Sequence, residues 1–411
     1  MKSNLDNLMR KMKVDALLVT GPTQHNASMV FFTGIVHITQ AILLKRRNKN
    51  PILIHPPMER DEAALTGLVL RNFNDYPASQ FMKEANQDGI RSSALRLKKM
   101  LTDAGITKGT LALYGLTDLG AGYEVYSTLQ KEMPEIKLVG FPQDELLMQV
   151  MMTKDEDEIE RIRRMGKITV EVVAETADYL SSRKVKKGIL RRKNGDPVTV
   201  RDVKNKIDLW LAERGAENPE STIFAIGRDA GVPHSSGTPD DAIRTGSTIV
   251  FDIFPCEAGG GYFYDFTRTW CIGYAPDEAM KLYDDVKFVY HQVMGSLKPG
   301  ALYSESQSLT CDLFQKMNHP TIREDPATEN GYVHSVGHGI GLRIHEKPWS
   351  GSNATSTDRL IPGTVFTIEP GLYYPEKGLG VRIEDSLWTR PDGQFEILAP
   401  FPLDLVIPAR K

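Results

Sequence analysis

The most constraining feature of this sequence is a pattern that occurs twice in its second half. Residues 246–254, GSTIVFDIF, and residues 363–371, GTVFTIEPG, each place a glycine turn and a β-branched run before a carboxylate. After a loop, each segment is followed by another strand-like run with a carboxylate, GGGYFYDFTRTW in the first case and GLGVRIEDSLW in the second. Because a hairpin places residues of its two strands side by side, we predict two related hairpins about a pseudo-two-fold axis, with converging acidic side chains.

The acidic pairs are Asp252 with Asp265 and Glu369 with Glu384. An unpaired buried carboxylate is costly, so four of them on otherwise apolar strands indicate bound cations. The segment VHSVGHGIGLRIHEKP contributes three histidines, His334, His338 and His345. Four carboxylates with one imidazole favour two divalent ions in a catalytic role, Mn²⁺, Fe²⁺, Co²⁺ or Zn²⁺, over a closed structural zinc site.

The first half of the chain has no compact cluster of metal-binding or acid–base residues and alternates helical and strand patterns. Apolar residues at three- and four-residue steps predict a helix over residues 3–12, and a second helical stretch lies near 82–104. Short apolar runs such as ALLVT, AILLK, PILIH and TLALYG are typical of strands. We therefore expect an α/β domain that serves as a scaffold and in oligomerisation.

A charged helix begins near Lys154, with acidic residues in its first turns, as the helix dipole favours. We place the domain boundary just before it, which gives an N-terminal domain of residues 1–152 and a C-terminal domain of residues 153–411. Seven basic residues lie between Arg183 and Lys193. We interpret this run as a solvated hairpin or loop; contact with an anionic substrate or nucleic acid is the alternative, but no aromatic residues interleave it for stacking.

The composition narrows the range of partners. With 50 basic and 53 acidic residues, the net charge of −3 gives no general attraction to nucleic acid or anionic membranes. No apolar run approaches the roughly 20 residues that span a bilayer, and the N-terminus lacks the apolar segment of a signal peptide. Three cysteines are too few for a disulfide scaffold. We therefore expect a cytoplasmic protein without nucleic-acid or membrane partners.

Five motifs in the second half resemble those of the pita-bread metallopeptidases. They are PHSSG, FDIF…YDFTRT, HSVGHGIGLRIHE, TIEPGLYY and VRIED. The first half is similar to the creatinase-type N-terminal domain of the proline-specific branch of that family. The resemblance implies an α/β creatinase-like domain followed by an α+β pita-bread catalytic domain with internal pseudo-two-fold symmetry.

The resemblance also implies a ligand set for two divalent metal ions. By analogy, Asp252 would chelate one ion, while Asp265 and Glu384 would bridge both. His338 and Glu369 would hold the other ion. Mn²⁺ is the preferred candidate, and Co²⁺, Zn²⁺ and Fe²⁺ are the other ions considered.

Further residues match family positions that act on the substrate or shape the pocket. His234 and His345 match two histidines that stabilise the tetrahedral intermediate and steer the scissile carbonyl, and His334 matches a third pocket histidine. Glu369 would also move a proton toward the leaving nitrogen. Tyr373 and Arg382 match residues that orient the metal ligands.

The implied reaction is cleavage of the bond before a proline near the N-terminus of a peptide, by a homodimer or homotetramer. Relative to the family, the loop between Asp252 and Asp265 is two residues longer, with the extra residues around Pro255–Gly260. In addition, Trp349 stands where dipeptide-specific members often have an arginine that binds the substrate carboxylate. This departure favours an aminopeptidase P over the alternative, a prolidase, unless Arg343 or Arg359 binds the substrate carboxylate instead.

Three related functions agree less well with these residues. A creatinase-like C–N hydrolase and a pita-bread peptide- or nucleic-acid-binding module both lack metal ligands in this family, whereas all five are intact here. Methionine aminopeptidases share the five ligands but typically lack an N-terminal domain of this size.

Overall fold

The computed structural model describes residues 4–142 and 145–410, which form two compact units. The first unit comprises the residues up to Met151 together with Gly259–Gly261, and the second comprises Met152–Ala258 and the residues from Tyr262 onward. The division falls next to the expected boundary at residue 152. The tip of the long loop between the first two acids, Gly259–Gly261, is grouped with the first unit.

The first unit is built on one mixed sheet with the strand order β4-β3-β2-β1-β5-β6. Its strands are β1 (Ala16–Gly21), β2 (Ala41–Arg46), β3 (Ile52–His55), β4 (Val69–Asn72), β5 (Gly109–Gly115) and β6 (Ile136–Val139). Its helices are α1 (Leu5–Lys11), α2 (Ala27–Thr33), α3 (Arg60–Leu65), α4 (Ala78–Glu84), α5 (Gly89–Asp103), α6 (Leu119–Glu132) and α7 (Glu145–Met151). The predicted α/β class is thus observed.

The helices of this unit depart from the prediction at one point. The stretch expected near 82–104 is split into α4 and α5. Asn86 and Gln87 adopt positive φ values of 54° and 67°, which end the first helix. The Asp88 carboxylate then accepts a hydrogen bond from the Arg91 backbone N–H and starts the second helix. Of the helix predicted over residues 3–12, α1 forms Leu5–Lys11, and Asn4 and Met12 are its caps. Residue 3 lies outside the described residues.

The second unit contains two similar halves. Its helices are α8 (Glu156–Ser181), α9 (Val200–Glu213), α10 (Asp277–Ser296) and α11 (Ser304–Lys316). Strands β7 to β13 are Lys184–Lys186, Ile189–Arg191, Ala216–Glu217, Ile223–Ile226, Thr248–Ile253, Cys256–Glu257 and Phe266–Ile272. Strands β14 to β21 are His338–Gly339, Glu346–Trp349, Val365–Ile368, Gly371–Tyr374, Leu379–Arg382, Asp385–Thr389, Phe395–Ile397 and Val406–Ile407.

In each half, a pair of packed helices precedes an antiparallel hairpin. Helix α8 packs on α9 and helix α10 on α11. The first half contributes β10, β11 and β13 to one sheet, β10-β11-β13-β21, whose last strand comes from the C-terminal segment. The second half contributes the sheet β15-β14-β16-β19-β20. A buried core made mainly by α10, α11 and the second sheet includes Val286, Phe314 and Phe366. This arrangement is the pseudo-two-fold α+β architecture predicted from the duplicated sequence pattern.

Both predicted hairpins are present. Strand β11 pairs antiparallel with β13, and β16 pairs antiparallel with β19. The second hairpin differs from the first because a further hairpin, β17 with β18, is inserted between its two strands. A bridge between Thr267 and Glu384 joins the two halves where the acidic residues lie.

The basic run forms the predicted solvated hairpin. Strands β7 and β8 pair through a two-residue turn at Lys187–Gly188, where both residues have positive φ. Lys184 and Lys186 are exposed on this hairpin. Among the described residues, no helix has the length and hydrophobicity needed to cross a bilayer.

A buried ionic network holds the C-terminal strands against β13. Arg268 is 1% exposed and donates to the backbone oxygens of Thr267 and Glu384 at 2.9 and 2.8 Å. It also pairs with Asp385 at 2.9 Å, and the Tyr290 hydroxyl donates to the other Asp385 oxygen at 2.6 Å. The network satisfies groups that would be costly to bury alone.

We expect the Tyr290→Phe substitution to lower the free energy of unfolding by about 2 kcal/mol, because one oxygen of the buried Asp385 carboxylate loses its donor. Urea denaturation measures the change. Tyr274→Phe, at an exposed tyrosine of the same unit, serves as the control and should change stability by less than about 0.5 kcal/mol. Equal effects of the two substitutions would contradict a role for the buried hydrogen bond.

Candidate metal centre

A pocket of about 500 Å³ opens in the second unit where the two hairpins meet. Its lining includes nine of the residues predicted from the sequence, namely Asp252, Asp265, Glu369, Glu384, His234, His334, His338, His345 and Arg382. Tyr373, which was also predicted, is not in the lining but is hydrogen-bonded to two residues that are, Arg382 and His334. These residues come from both halves of the unit. Most lie on a strand or next to a strand end, whereas His234 and His334 lie in loops. The structure therefore brings together side chains that lie up to 150 positions apart in the sequence.

The centre of the pocket is formed by Asp265, His338 and Glu384. One potential ligand atom from each of these buried residues lies within 4.8 Å of the other two. The His338 Nε2 atom lies 3.5 Å from an Asp265 oxygen and 3.3 Å from Glu369 Oε1. The other ring nitrogen, Nδ1, lies 3.0 Å from the carbonyl oxygen of Gly339, which can only accept, so Nδ1 carries a proton. Nε2 is thus directed at the carboxylates.

Three carboxylate oxygens of this centre have no hydrogen-bond partner among the described residues. They are the Oδ1 atoms of Asp252 and Asp265 and the Oε1 atom of Glu384, and all three are buried. Buried acceptors normally have a partner, so these oxygens require an explanation. A bound cation would provide one.

The electrostatics of the centre point the same way. Burial raises the pKa of Asp252 to about 6, that of Glu369 to about 7 and that of Glu384 well above its ordinary value, and the neighbouring carboxylates add to the effect at all three acids. For His338, burial lowers the pKa, but hydrogen bonding to Asp265 and the charge of Glu369 outweigh it and raise the pKa to about 9. Positive charge is therefore favoured here. An oxygen-rich set with one imidazole fits divalent transition-metal ions.

Two threonines that the sequence analysis did not identify form hydrogen bonds with acidic residues of the centre. The Thr267 hydroxyl donates to Glu384 Oε2 at 2.7 Å. The Thr367 hydroxyl lies 3.2 Å from Glu369 Oε1 and accepts from the His338 backbone N–H at 3.2 Å. Each threonine lies two positions from an acid, Asp265 or Glu369, and this strand spacing was the available signal.

A chain of hydrogen bonds supports the wall of the pocket beside Asp252. Arg382 is 3% exposed, and its guanidinium forms an ion pair with Asp252 and donates to the Tyr373 hydroxyl at 2.8 Å. The Tyr373 hydroxyl lies 2.9 Å from His334 Nε2, while His334 Nδ1 lies 2.7 Å from the carbonyl oxygen of Ser335. Since that carbonyl requires a donor, Nδ1 is protonated and Nε2 accepts from Tyr373.

The three pocket histidines outside the central cluster differ in whether their ring nitrogens are available to a bound molecule. Burial, with Arg382 adding to it, lowers the pKa of His334 to about 3, and both of its ring nitrogens are used by the protein. His234 and His345 are exposed to solvent and line the pocket. Desolvation by the surrounding atoms lowers the pKa of His234 and lowers that of His345 to about 4. The His345 ring packs edge-on against His338, with centroids 4.4 Å apart.

The backbone around His338 is tightly confined. A Cβ atom on Gly337 would collide with the Tyr303 hydroxyl and the Thr367 carbonyl oxygen. Gly337 therefore permits the close approach of this segment to β16, the strand that directly precedes Glu369.

Residues 160–391 match metallopeptidase family M24, over more than half of the chain. The chain belongs to metallopeptidase family M24. The matched region contains all the residues that line the pocket. This M24 protein is therefore a peptidase, a hydrolase of a family that uses divalent metal ions, which agrees with the donor set of the pocket.

Individual relatives confirm the fold. An Xaa-Pro dipeptidase from Pyrococcus furiosus is 28% identical to the M24 protein over 251 residues, which is 61% of this chain and 64% of the relative. The structure of a dipeptidase from Pyrococcus horikoshii has a TM-score of 0.75 at 22% identity and covers 98% of both chains. An X-Pro aminopeptidase from Thermotoga maritima has a TM-score of 0.72 at 25% identity and covers 97% of this chain and 99% of its own. These similarities confirm the predicted class, a creatinase-like α/β domain followed by a pita-bread catalytic domain.

Proposed function

We propose that this M24 peptidase removes the N-terminal residue from peptides whose second residue is proline, as an aminopeptidase P does. The observation that chiefly supports it is the pocket in which four acids and His338 converge, with Trp349 in its wall. Specificity for the Xaa-Pro bond is supported by the relatives from Pyrococcus furiosus and Thermotoga maritima. We expect the active form to be a homodimer or homotetramer.

Five residues would hold two divalent ions in this proposal, with Mn²⁺ preferred and Co²⁺, Zn²⁺ or Fe²⁺ as alternatives. They are Asp252, Asp265, His338, Glu369 and Glu384. When bound, such ions polarise a carbonyl and lower the pKa of a coordinated water.

The remaining pocket residues would bind and orient the peptide. His234 and His345 are exposed in the pocket, and a neutral imidazole still carries one N–H that can donate to the scissile carbonyl oxygen as negative charge develops there. The carboxyl group of Glu369 would deliver a proton to the leaving proline nitrogen. Arg382, Tyr373 and His334 would position Asp252 through their hydrogen-bonded chain.

Trp349 bears on the preferred length of the substrate. It belongs to β15, which pairs with β14 so that Trp349 lies opposite His338. Of the described residues, Arg382 supplies the only guanidinium in the pocket wall, and it is paired with Asp252. Arg343 and Arg359, which could bind a substrate carboxylate in place of an arginine at position 349, do not line the pocket. Arg359 instead donates to the backbone oxygens of Ser356 and Gly300.

We therefore expect a tripeptide such as Met-Pro-Ala to have a higher kcat/KM than the dipeptide Met-Pro. The carboxylate of a dipeptide would be desolvated at this wall without a cationic partner, whereas a tripeptide places a neutral amide there. Steady-state kinetics on matched peptides measures the ratio. Trp349→Arg should shift the preference toward the dipeptide.

Trp349→Leu is the matched control, because it removes the indole without adding charge and should not favour the dipeptide. A tenfold or greater preference of the parent protein for the dipeptide, about 1.4 kcal/mol, would overturn the assignment in favour of a prolidase. The dipeptidase relatives make that the second candidate function.

A further inference from the structure

One carboxylate in the pocket wall takes no part in the candidate metal centre. Glu220 lines the pocket together with Ser221 and Thr222. It is exposed and makes no hydrogen bond or ion pair with the described residues. The other four acids of the wall belong to the proposed ligand set, and Arg382 is paired with Asp252. Glu220 is thus a free negative charge facing the substrate space.

The backbone holds this residue in a defined place. The Ser221 N–H donates to the Asn218 carbonyl oxygen at 3.2 Å, and Ser221 has a φ of 66°. The Asn218 side chain donates to the Thr222 hydroxyl at 2.9 Å and to Asp208 at 3.0 Å. Glu220 therefore lies in a turn that is fixed on both sides.

The turn leads directly into β10, and this places Glu220 near the centre. Ile223, the first residue of β10, pairs with Asp252 on β11. Glu220 precedes Ile223 by three residues, so the Cα atoms of these two residues are at most about 10 Å apart. A side chain on a substrate residue bound at the centre can span that distance when it is long.

Glu220 and Trp349 lie beside different ligands of the centre. Trp349 lies opposite His338, which is next to Glu369, the proposed proton donor to the leaving proline. Glu220 lies in the turn before β10, the strand that pairs with the strand of Asp252. If the proline occupies the Trp349 wall, as the proposed function has it, the residue before proline faces the wall that carries Glu220.

We propose that Glu220 selects substrates with lysine or arginine before the proline. The proposal rests on the proposed Xaa-Pro function. A lysine or arginine side chain can lay its aliphatic part along the wall and extend its charged end to the exposed carboxylate. A solvent-accessible pair of this kind changes affinity by a few-fold, and salt screens it.

The test compares Lys-Pro-Ala with Met-Pro-Ala, whose residues before proline have similar length but differ in charge. The Mn²⁺-loaded parent protein should prefer the lysine peptide in kcat/KM by about three- to fivefold at low ionic strength, and less at high salt. Glu220→Gln should abolish the preference, and Glu220→Lys should reverse it. Glu213→Gln, at an exposed acid at the end of α9 that does not line the pocket, should keep it.

The outcomes separate the two proposals. Cleavage of both peptides without a lysine preference, or with a preference that survives Glu220→Gln, would overturn the assignment of Glu220 and leave the Xaa-Pro function standing. Cleavage of neither peptide would overturn the proposed function and the assignment with it. A preference lost equally in Glu213→Gln would also overturn the assignment, because it would show a long-range charge effect.

Discussion

Replacing Asp265 or Glu384 with alanine is expected to leave the protein without its full complement of metal and without measurable peptidase activity. Both residues belong to the buried cluster whose ligand atoms lie within 4.8 Å of one another, and each has an oxygen without a hydrogen-bond partner. Removing either one deletes a donor from both proposed ions and leaves the remaining carboxylates to repel one another.

Elemental analysis of the purified variants measures the metal content, and hydrolysis of Met-Pro-Ala measures activity. The parent protein should hold two divalent ions per chain, lose activity in excess chelator and regain it when Mn²⁺ is added. Its melting temperature should also rise with metal, because ions that bind only the folded state stabilise it. Asp404→Ala removes an exposed acid of the same unit and should retain both metal and activity. A metal-free parent protein that stays fully active in chelator would rule out the centre.

Replacing His345 with alanine is expected to lower kcat by about 10²-fold or more while two metal ions remain bound, and His234→Ala should behave in the same way. Both rings are exposed within the pocket, so each can donate to a substrate oxygen. Loss of one donor to the developing charge in a transition state costs about 10²- to 10³-fold in rate. Neither ring belongs to the cluster of Asp265, His338 and Glu384.

Metal analysis and steady-state kinetics on the same preparations separate the two roles. His291→Ala, on the exposed face of α10, is the matched control and should change neither quantity. A His345→Ala protein that has lost a metal ion would show that His345 is a ligand. The division between ligands and substrate-binding histidines would then have to be redrawn.

The duplicated pattern predicted the hairpins because β-branched runs are typical of strands. The cost of burying a charge then indicated which residues on those strands belong to a candidate site. A carboxylate in a run such as TIVFDI cannot be buried alone, so Asp252 could be predicted as a candidate site residue from the sequence. The same argument did not find Thr267 or Thr367. A threonine in a strand is ordinary, and its hydroxyl becomes informative only when the strand register shows which acid it faces.

Other features depended on contacts that no local pattern encodes. The inserted hairpin β17–β18 places Tyr373 and Arg382 beside Asp252. The positioning role of these two residues was expected only from the family resemblance. Glu220 could not be distinguished in the sequence from other acids in polar loops, because nothing near it indicates that its loop borders the pocket. The break between α4 and α5 depends on two residues with positive φ, and the spacing of apolar residues does not reveal such a backbone conformation.

The bridge between Thr267 and Glu384 has a consequence for how the protein matures during synthesis. These residues are 117 positions apart in the sequence. A growing polypeptide that has already formed the first hairpin therefore holds Asp252 and Asp265 before the remaining donors have been translated. Because domains generally fold as units from the N-terminal end, the proposed ions could be loaded only after residue 384 has been synthesised. A ribosome that stalls before Glu384 would leave a chain that lacks this acid and cannot assemble the proposed metal centre.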